Sequence, residues 1–280
     1  MNSPLVPPTE KFKIFNAIPI EKFGLRLQDP QIKPFPYLLC ARSYEEASAE
    51  YGISATEFNE QLKQFTDWSE SLYRNFPNSV VIQLGDYQNK ILPSQHYFMQ
   101  SATEVNGAFG FPYRVRIPIN QSLPQIEYKF SFVGSSATHK LRKRLKEWSQ
   151  NLNSVEFYDT TNAPTMTKEA YARSITASKF VLCPRGYGPN SVRMYETLAL
   201  GRIPIIISDG FKLPLEQQIP YKKFCIAVDE SKLDQIPSIV DNFLENHDWN
   251  DACQSARKVY NQYFQANSIN KLVTESIRGF

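Results

Sequence analysis

Residues 178–209 of this 280-residue chain decide the fold, and they read SKFVLCPRGYGPNSVRMYETLALGRIPIIISD. The pattern predicts a strand buried on both faces at 180–183, followed by a loop at 185–189 whose two glycines leave the backbone open to a ligand. It then predicts a short helix within 190–201 and a second buried strand at 203–207. A strand, helix and strand of this length close most easily as a right-handed parallel crossover.

The start of this helix predicts an anion site. Asn190 or Ser191 is placed as the N-cap, and a helix N-terminus at the end of a parallel strand offers free N–H groups and roughly half a positive charge. Arg185 and Arg193 flank this end and suit phosphate oxygens, while Glu196 suits sugar hydroxyls. The alternative is that Arg193 and Glu196 form only an ordinary pair on a helix surface, worth a few tenths of a kcal/mol.

Three segments of this stretch occur in a characteristic order. They are a strand ending in Pro184-Arg185-Gly186, a Ser-x-Arg-x-x-Glu-x-Leu helix at 191–198, and a strand with Pro-x-x-x-Ser-Asp at 204–209. This order resembles the exostosin-type (GT47-like) glycosyltransferases. The resemblance is strongest over residues 128–240.

The resemblance implies a fold, a donor and a reaction. The fold is α/β of the GT-B type, with two Rossmann-like domains facing each other across a cleft. The donor is a nucleoside-diphosphate sugar, a UDP-sugar, and the acceptor is a hydroxyl of a glycan, with inversion at the transferred carbon. No cofactor or metal ion is expected, because the chain has no Asp-x-Asp motif and cationic side chains can stabilise the leaving diphosphate.

The candidate residues follow from the motif and the resemblance. Arg185 and Arg193 are expected to act catalytically on the leaving diphosphate, and glycine and arginine recur in such chains at the positions of Gly134 and Arg142. The expected donor-binding set is Gly134, Arg142, Arg185, Gly186, Asn190, Ser191, Val192, Arg193 and Glu196.

Inversion also requires a base that takes a proton from the acceptor hydroxyl, and it should come from the N-terminal half. Asp86 ranks first because it follows a predicted strand at 79–84, and His96 and Glu104 are the other candidates. For each of the three, an ordinary structural role is an equal alternative.

Composition excludes several other classes of protein. The 31 basic and 28 acidic residues give a net charge of +3, which makes no electrostatic case for a nucleic-acid partner. Four cysteines without C-x-x-C spacing indicate free thiols in a reducing compartment, and three histidines have no zinc spacing. No signal peptide or long apolar window is visible, so we expect a cytoplasmic protein, at most peripheral to a membrane.

The chain is long enough for two domains. We predict a short acceptor-side domain at 1–122 and a nucleotide-sugar domain at 123–280, whose terminal helices pack back toward the first. The predicted elements of the first domain are a strand at 12–20, helices at 45–51 and 57–76, a strand at 79–84 and a strand at 115–119.

Two other functions remain open at this stage. The chain could be a noncatalytic subunit that binds nucleotide sugar or a partner transferase, or it could be an unrelated doubly wound protein with another phosphorylated ligand. The sequence does not indicate an oligomeric state.

Overall fold

The structure is a computed structural model that describes residues 14–20, 33–77, 79–119, 124–164 and 166–278. It contains two five-stranded sheets with helices between and around them. The strands are β1 Phe15–Pro19, β2 Tyr37–Ala41, β3 Val81–Leu84, β4 Tyr97–Met99, β5 Phe109–Gly110, β6 Tyr128–Gly134, β7 Val155–Asp159, β8 Ser178–Pro184, β9 Ile203–Ile207 and β10 Ile226–Val228. The α-helices are α1 Tyr44–Tyr51, α2 Ala55–Tyr73, α3 Lys140–Ser149, α4 Lys168–Thr176, α5 Val192–Ala199, α6 Ile236–Asn246, α7 Trp249–Val259 and α8 Ile269–Arg278.

The second sheet is entirely parallel, in the order β10-β9-β8-β6-β7. Its central strands β8 and β9 are continuous apolar runs because helices cover both of their faces. The predicted strand, helix and strand over 178–209 are confirmed as β8, α5 and β9. Gly201, at φ +65°, follows α5 in the left-handed conformation that a helix end favours.

The order of this sheet creates a switch point. Along the chain β7 is added on one side of β6, whereas β8, β9 and β10 are added on the other. The loops that leave β6 and β8 therefore diverge at their carboxyl ends. In open α/β sheets that divergence is where ligands bind.

The first sheet has the sequential order β1-β2-β3-β4-β5, with β1 antiparallel and the others parallel. Alternate side chains point to opposite faces: Leu39 belongs to an apolar cluster with Phe65 of α2. Leu38 belongs instead to the large cluster of the C-terminal half, which also contains Leu272 of α8. One face of this sheet is thus covered by its own helices and the other belongs to the C-terminal core.

The carboxyl ends of the two sheets meet. Asn190, before α5, donates to the carbonyl of Gln100, just after β4, over 3.1 Å. The backbone N–H of Lys212 donates to the carbonyl of Ala102 over 3.1 Å. This arrangement of two α/β halves confirms the predicted GT-B type.

Several details of the first half differ from prediction. Residues 115–119 are not a strand but an extended connector. Val115, Ile117 and Ile119 pack on the core, and this gives the segment the alternating pattern of a strand although no described strand pairs with it. The sequence pattern did not predict β2, β4 or β5. They are too short for their own periodicity and are held by pairing with β3 and with each other.

The predicted domain boundary at 122/123 lies outside the described residues and stays a prediction. On the C-terminal side, α7 contacts the connector, because Arg257 donates to the carbonyl of Ile119 over 3.2 Å. A short π-helix at Tyr260–Phe264 then leads toward α8.

Candidate functional site

The switch point brings Gly134, Pro184 and α5 together. Gly134 ends β6, Pro184 ends β8, and Arg193 lies in the first turn of α5. A Cβ atom at Gly134 would lie only 2.8 Å from Nη2 of Arg193, so a side chain there would displace the guanidinium. The absence of a side chain at Gly134 leaves room for the guanidinium in its present position.

Arg193 is buried, with 6% of its surface exposed. Its Nη2 donates to the carbonyl of Val133, and its guanidinium lies 4.5 Å from the centre of the Phe132 ring. Its Nε has no hydrogen-bond partner in the part of the chain that the structure describes. A buried polar group without a partner costs free energy, so this nitrogen points to a ligand.

Arg142 lies on the same aromatic ring, 5.6 Å from the centre of Phe132. It donates to three carbonyls, those of Arg185 at 2.8 Å, Ser135 at 3.2 Å and Pro184 at 3.2 Å. Burial, together with the neighbouring charge of Arg193, lowers the pKa of Arg142 to about 9. Neither guanidinium forms a salt bridge with a carboxylate in the described part of the chain.

Arg185 extends β8, since its N–H donates to the carbonyl of Ile207 over 3.0 Å. Its Nη1 lies 3.6 Å from a carboxylate oxygen of Glu230, a long and weak ion pair. His139, the N-cap of α3, is close enough that burial and the charge of Arg185 lower its pKa. The edge of the sheet is therefore positive.

Glu196 is also buried, with 7% of its surface exposed. The hydroxyl of Tyr171 donates to its Oε2 over 2.6 Å, and burial raises the pKa of the carboxyl group. Because Arg193 and Glu196 are both buried, the alternative of an ordinary surface pair is wrong.

The N-terminus of α5 has unused donors. Ser191 is the N-cap, but its side chain makes no capping hydrogen bond. Asn190 holds the turn, because its Oδ1 accepts from the N–H of Ser191 at 2.8 Å. Val192 is exposed at the first helical position, and a Cβ at Gly186 would lie 3.2 Å from Nη2 of Arg142. All the predicted donor-side residues thus lie in one region.

Asp86 lies across from this region, after β3. Its Oδ1 accepts a 3.0 Å hydrogen bond from the hydroxyl of Tyr113, and burial raises its pKa. A Cβ at Gly188 would lie 2.4 Å from that same oxygen, so Asp86 is packed against the 185–189 loop. The other two candidates lie elsewhere. His96 precedes β4 and so lies at the amino end of the parallel strands, whereas Asp86 lies at their carboxyl end. Glu104 is exposed in a turn.

A carboxylate that sequence analysis missed lies beside Asp86. Glu46 is in the first turn of α1, where its N–H donates to Ser43, and its Oε1 accepts from Arg42 at 2.8 Å. Burial and the charges of Asp86 and Glu50 raise the pKa of Glu46 to about 7. The Ser-x-x-Glu pattern signalled the helix start, but only the pairing of β2 with β3 brings α1 beside Asp86.

This raised pKa makes a prediction about stability. Since the pKa is above its unfolded value, folding is most favoured when Glu46 is protonated; stability is lost as the pH rises from about 4.5 to about 7. Glu46→Gln removes the penalty and should stabilise the protein by about 1–2 kcal/mol at pH 8 but not at pH 4.5. Thermal unfolding over this pH range measures the difference. Glu45→Gln, exposed on the same helix, should behave like wild type at both pH values.

The described residues show neither a membrane-spanning helix nor a metal site. They contain no helix long and apolar enough to span a bilayer. They also contain no group of three or more histidine, cysteine or acidic side chains arranged to hold a metal ion. The expectation that no metal ion takes part stays a prediction.

Comparison with known proteins gives partial matches to plant transferases. A probable glucuronosyltransferase of Oryza sativa subsp. japonica is 34% identical over 97 residues, which are 35% of this chain and 21% of the relative. A probable beta-1,4-xylosyltransferase of Arabidopsis thaliana is 33% identical over 97 residues, 35% of this chain and 23% of the relative. The matched segment thus spans about a fifth of these relatives.

Two further comparisons concern the fold and the family. A solved sucrose-phosphate synthase from Thermosynechococcus elongatus aligns over 81% of this chain and 80% of its own, with a TM-score of 0.45 and 13% identity. The Exostosin GT47 domain matches residues 85–243, more than half of the chain. That match begins beside Asp86 and includes both guanidiniums on Phe132, the 185–189 loop and α5. By this match and by the residues at its switch point, the chain belongs to the exostosin GT47 family.

Proposed function

We propose that the chain is a glycosyltransferase that binds a UDP-sugar at the switch point of its second sheet and transfers the sugar to a glycan hydroxyl. The observation that carries the proposal is the pair of guanidiniums of the buried Arg193 and the half-buried Arg142, which both contact the Phe132 ring and have no carboxylate partner in the described residues. Buried charge is costly unless it is paired. A diphosphate supplies the missing negative charge.

The same residues have a chemical role in transfer. When the bond between the sugar and the diphosphate breaks, its electrons go to the diphosphate and the negative charge there grows. Arg193, Arg185 and the uncapped N–H groups of α5 stabilise this charge more in the transition state than in the ground state. The proposal needs no divalent ion, because these groups neutralise the leaving group.

The donor's nucleoside has a partner in Glu196. Its Oε2 already accepts from Tyr171, so a ribose hydroxyl would donate to the other carboxylate oxygen. Inversion follows from a single in-line displacement, with the acceptor entering on the face opposite the diphosphate. The first sheet faces that side of the cleft and provides the acceptor side.

Thermal unfolding with UDP, GDP, CMP and their sugars tests donor binding. A nucleotide at about one hundred times its dissociation constant should stabilise the protein by about 2.7 kcal/mol. UDP release with UDP-xylose and UDP-glucuronic acid is then measured with and without xylo-oligosaccharides, donors and acceptor chosen from the names of the plant relatives. A shift without acceptor-dependent release would indicate a noncatalytic binding subunit, and no shift with any nucleotide would contradict the proposal.

A further inference from the structure

We infer that Glu46 is the general base of the transfer reaction, and that Arg42 and Asp86 are positioning residues that hold and tune its carboxylate. The inference rests on the proposed function and names the acceptor-side group of the same cleft. It replaces Asp86, the base that sequence position favours, with a residue on a different element.

The topology of the first sheet brings these residues together. β2 and β3 are parallel neighbours, with Cys40 opposite Leu84, so the segments that leave them emerge side by side. Arg42 leaves β2 and leads into α1, while Asp86 leaves β3. The contact is close: the N–H of Tyr87 donates to the carbonyl of Ala41 over 3.3 Å. Glu46, one turn into α1, therefore lies at the same edge of the sheet as Asp86.

One oxygen of Asp86 is unavailable to an acceptor, and the other belongs to a carboxylate packed against the 185–189 loop. Its Oδ1 is engaged by the hydroxyl of Tyr113 and pressed against the backbone at Gly188. A sugar hydroxyl could reach this oxygen only if the loop moved. These contacts hold the Asp86 carboxyl group in place where the two halves of the cleft meet.

Glu46 is better placed. Its side chain is 22% exposed, so solvent and an acceptor can reach it. Arg42 fixes the carboxylate through Oε1, and Oε2 has no hydrogen-bond partner among the described residues. A base held through one oxygen can accept a proton on the other without losing its orientation.

The charges around Glu46 suit proton transfer near neutral pH. Arg42 and Glu50 face it from its own segment, and Asp86 faces it from the end of β3. The hydroxyl of Tyr113 interacts with the charges of both carboxylates. The resulting pKa of Glu46, about 7, is the value at which a general base works best near neutral pH. Two carboxylates whose environments differ thus have different roles.

A second observation favours a ligand on the opposite wall. Arg193 is 6% exposed and its Nε has no partner among the described residues, which indicates the anion side of the cleft. Asp86 touches Gly188 of the loop that carries Arg185, so the acidic and basic walls approach each other there. An acceptor hydroxyl between them has a base on one side and the donor on the other.

In the proposed step the acceptor O–H bond breaks, and its proton goes to a carboxylate oxygen of Glu46. The electron pair of the acceptor oxygen forms the new bond to the anomeric carbon. The bond from that carbon to the diphosphate breaks, and its electrons leave with the nucleoside diphosphate. Glu46 then releases its proton to water.

The test uses Glu46→Gln, Glu46→Asp and Asp86→Asn, with Glu45→Gln as the matched control on the same helix. Glu46→Gln should lower kcat by roughly 100- to 10,000-fold with UDP-xylose or UDP-glucuronic acid and leave the Kd of UDP within about 2-fold. Glu46→Asp should recover part of the rate, and Glu45→Gln should resemble wild type. Asp86→Asn should retain turnover but move the acidic limb of the kcat–pH profile to lower pH, because it removes a negative charge beside Glu46.

The outcomes separate the base from the proposed function. Acceptor-dependent turnover by wild type that survives in Glu46→Gln would overturn Glu46 as base while leaving the transferase intact. If Asp86→Asn loses turnover while Glu46→Gln remains active, Asp86 is the base instead of Glu46. If wild type binds no nucleotide or transfers to no acceptor, the proposed function fails and the base falls with it.

Discussion

Arg193→Met should abolish most of the stabilisation by UDP while leaving the ligand-free protein folded. Within the described residues the guanidinium donates only to the carbonyl of Val133, and its Nε has no partner. Its charge-assisted bonds to a diphosphate would contribute about 2–3 kcal/mol, so the affinity for UDP should fall by roughly 30- to 150-fold. Without nucleotide the stability should change by less than about 1 kcal/mol, because the loss of contacts is offset by removal of a buried unpaired charge. Calorimetric binding and denaturant unfolding measure the two effects.

Arg142→Met is the matched comparison on the same aromatic ring. Arg142 supports the carbonyls of Ser135, Pro184 and Arg185, so its removal should cost about 2–4 kcal/mol of ligand-free stability. Lys143→Met, an exposed change of charge on the same helix, should alter neither quantity. If Arg193→Met destabilises the free protein as much as Arg142→Met and binds UDP normally, Arg193 is structural and the donor site lies elsewhere.

Gly85→Ala should be the most destabilising small substitution in the first sheet. Gly85 has φ +92°, and a Cβ there would lie 2.2 Å from the carbonyl oxygen of Ala41, so β2 and β3 would have to separate. We expect a loss of about 3–5 kcal/mol by denaturant unfolding. The change also displaces Asp86 and α1 relative to each other.

Gly107→Ala measures the backbone-strain part of that effect without the steric clash. Gly107 has φ +59°, but a Cβ there would have no neighbour within 4 Å. Its substitution should cost only the backbone strain, about 1–2 kcal/mol. Equal losses at the two glycines would show that strand separation contributes nothing.

Each wall of the cleft brings two charges of the same sign together. Arg142 and Arg193 place two positive charges on one ring, whereas Asp86 and Glu46 place two negative charges beside each other. Each pair is unfavourable without the group it is proposed to bind or to accept. Substitutions that neutralise either pair are therefore the clearest way to separate function from folding at this site.

The C-terminal half was predictable from the sequence, since its signals are local. The runs at 180–183 and 203–207 are apolar on both faces, and Arg185, Arg193 and Glu196 lie at fixed spacing around one helix start. Strand and helix boundaries followed from Pro184, Ser191 and Gly201. The position of the anion site then followed from the rule that parallel strands present their carboxyl ends at one edge.

The first half depended on tertiary structure. β4 and β5 have three and two residues, too few to carry a period, and exist because β3 offers them a pairing edge. Residues 115–119 have the strand pattern without a partner and remain a connector.

By itself, the sequence determined the parallel second sheet, the helix start with its arginines and the family. Only the tertiary structure decided that Arg193 is buried with an unpartnered nitrogen, that Asp86 is held by Tyr113 and Gly188, and that Glu46 lies beside it. The physical reason is that propensity and spacing act within one turn or strand. Burial, charge coupling and the pKa of a carboxyl group depend on segments that are distant in the chain and meet only after the sheets have paired.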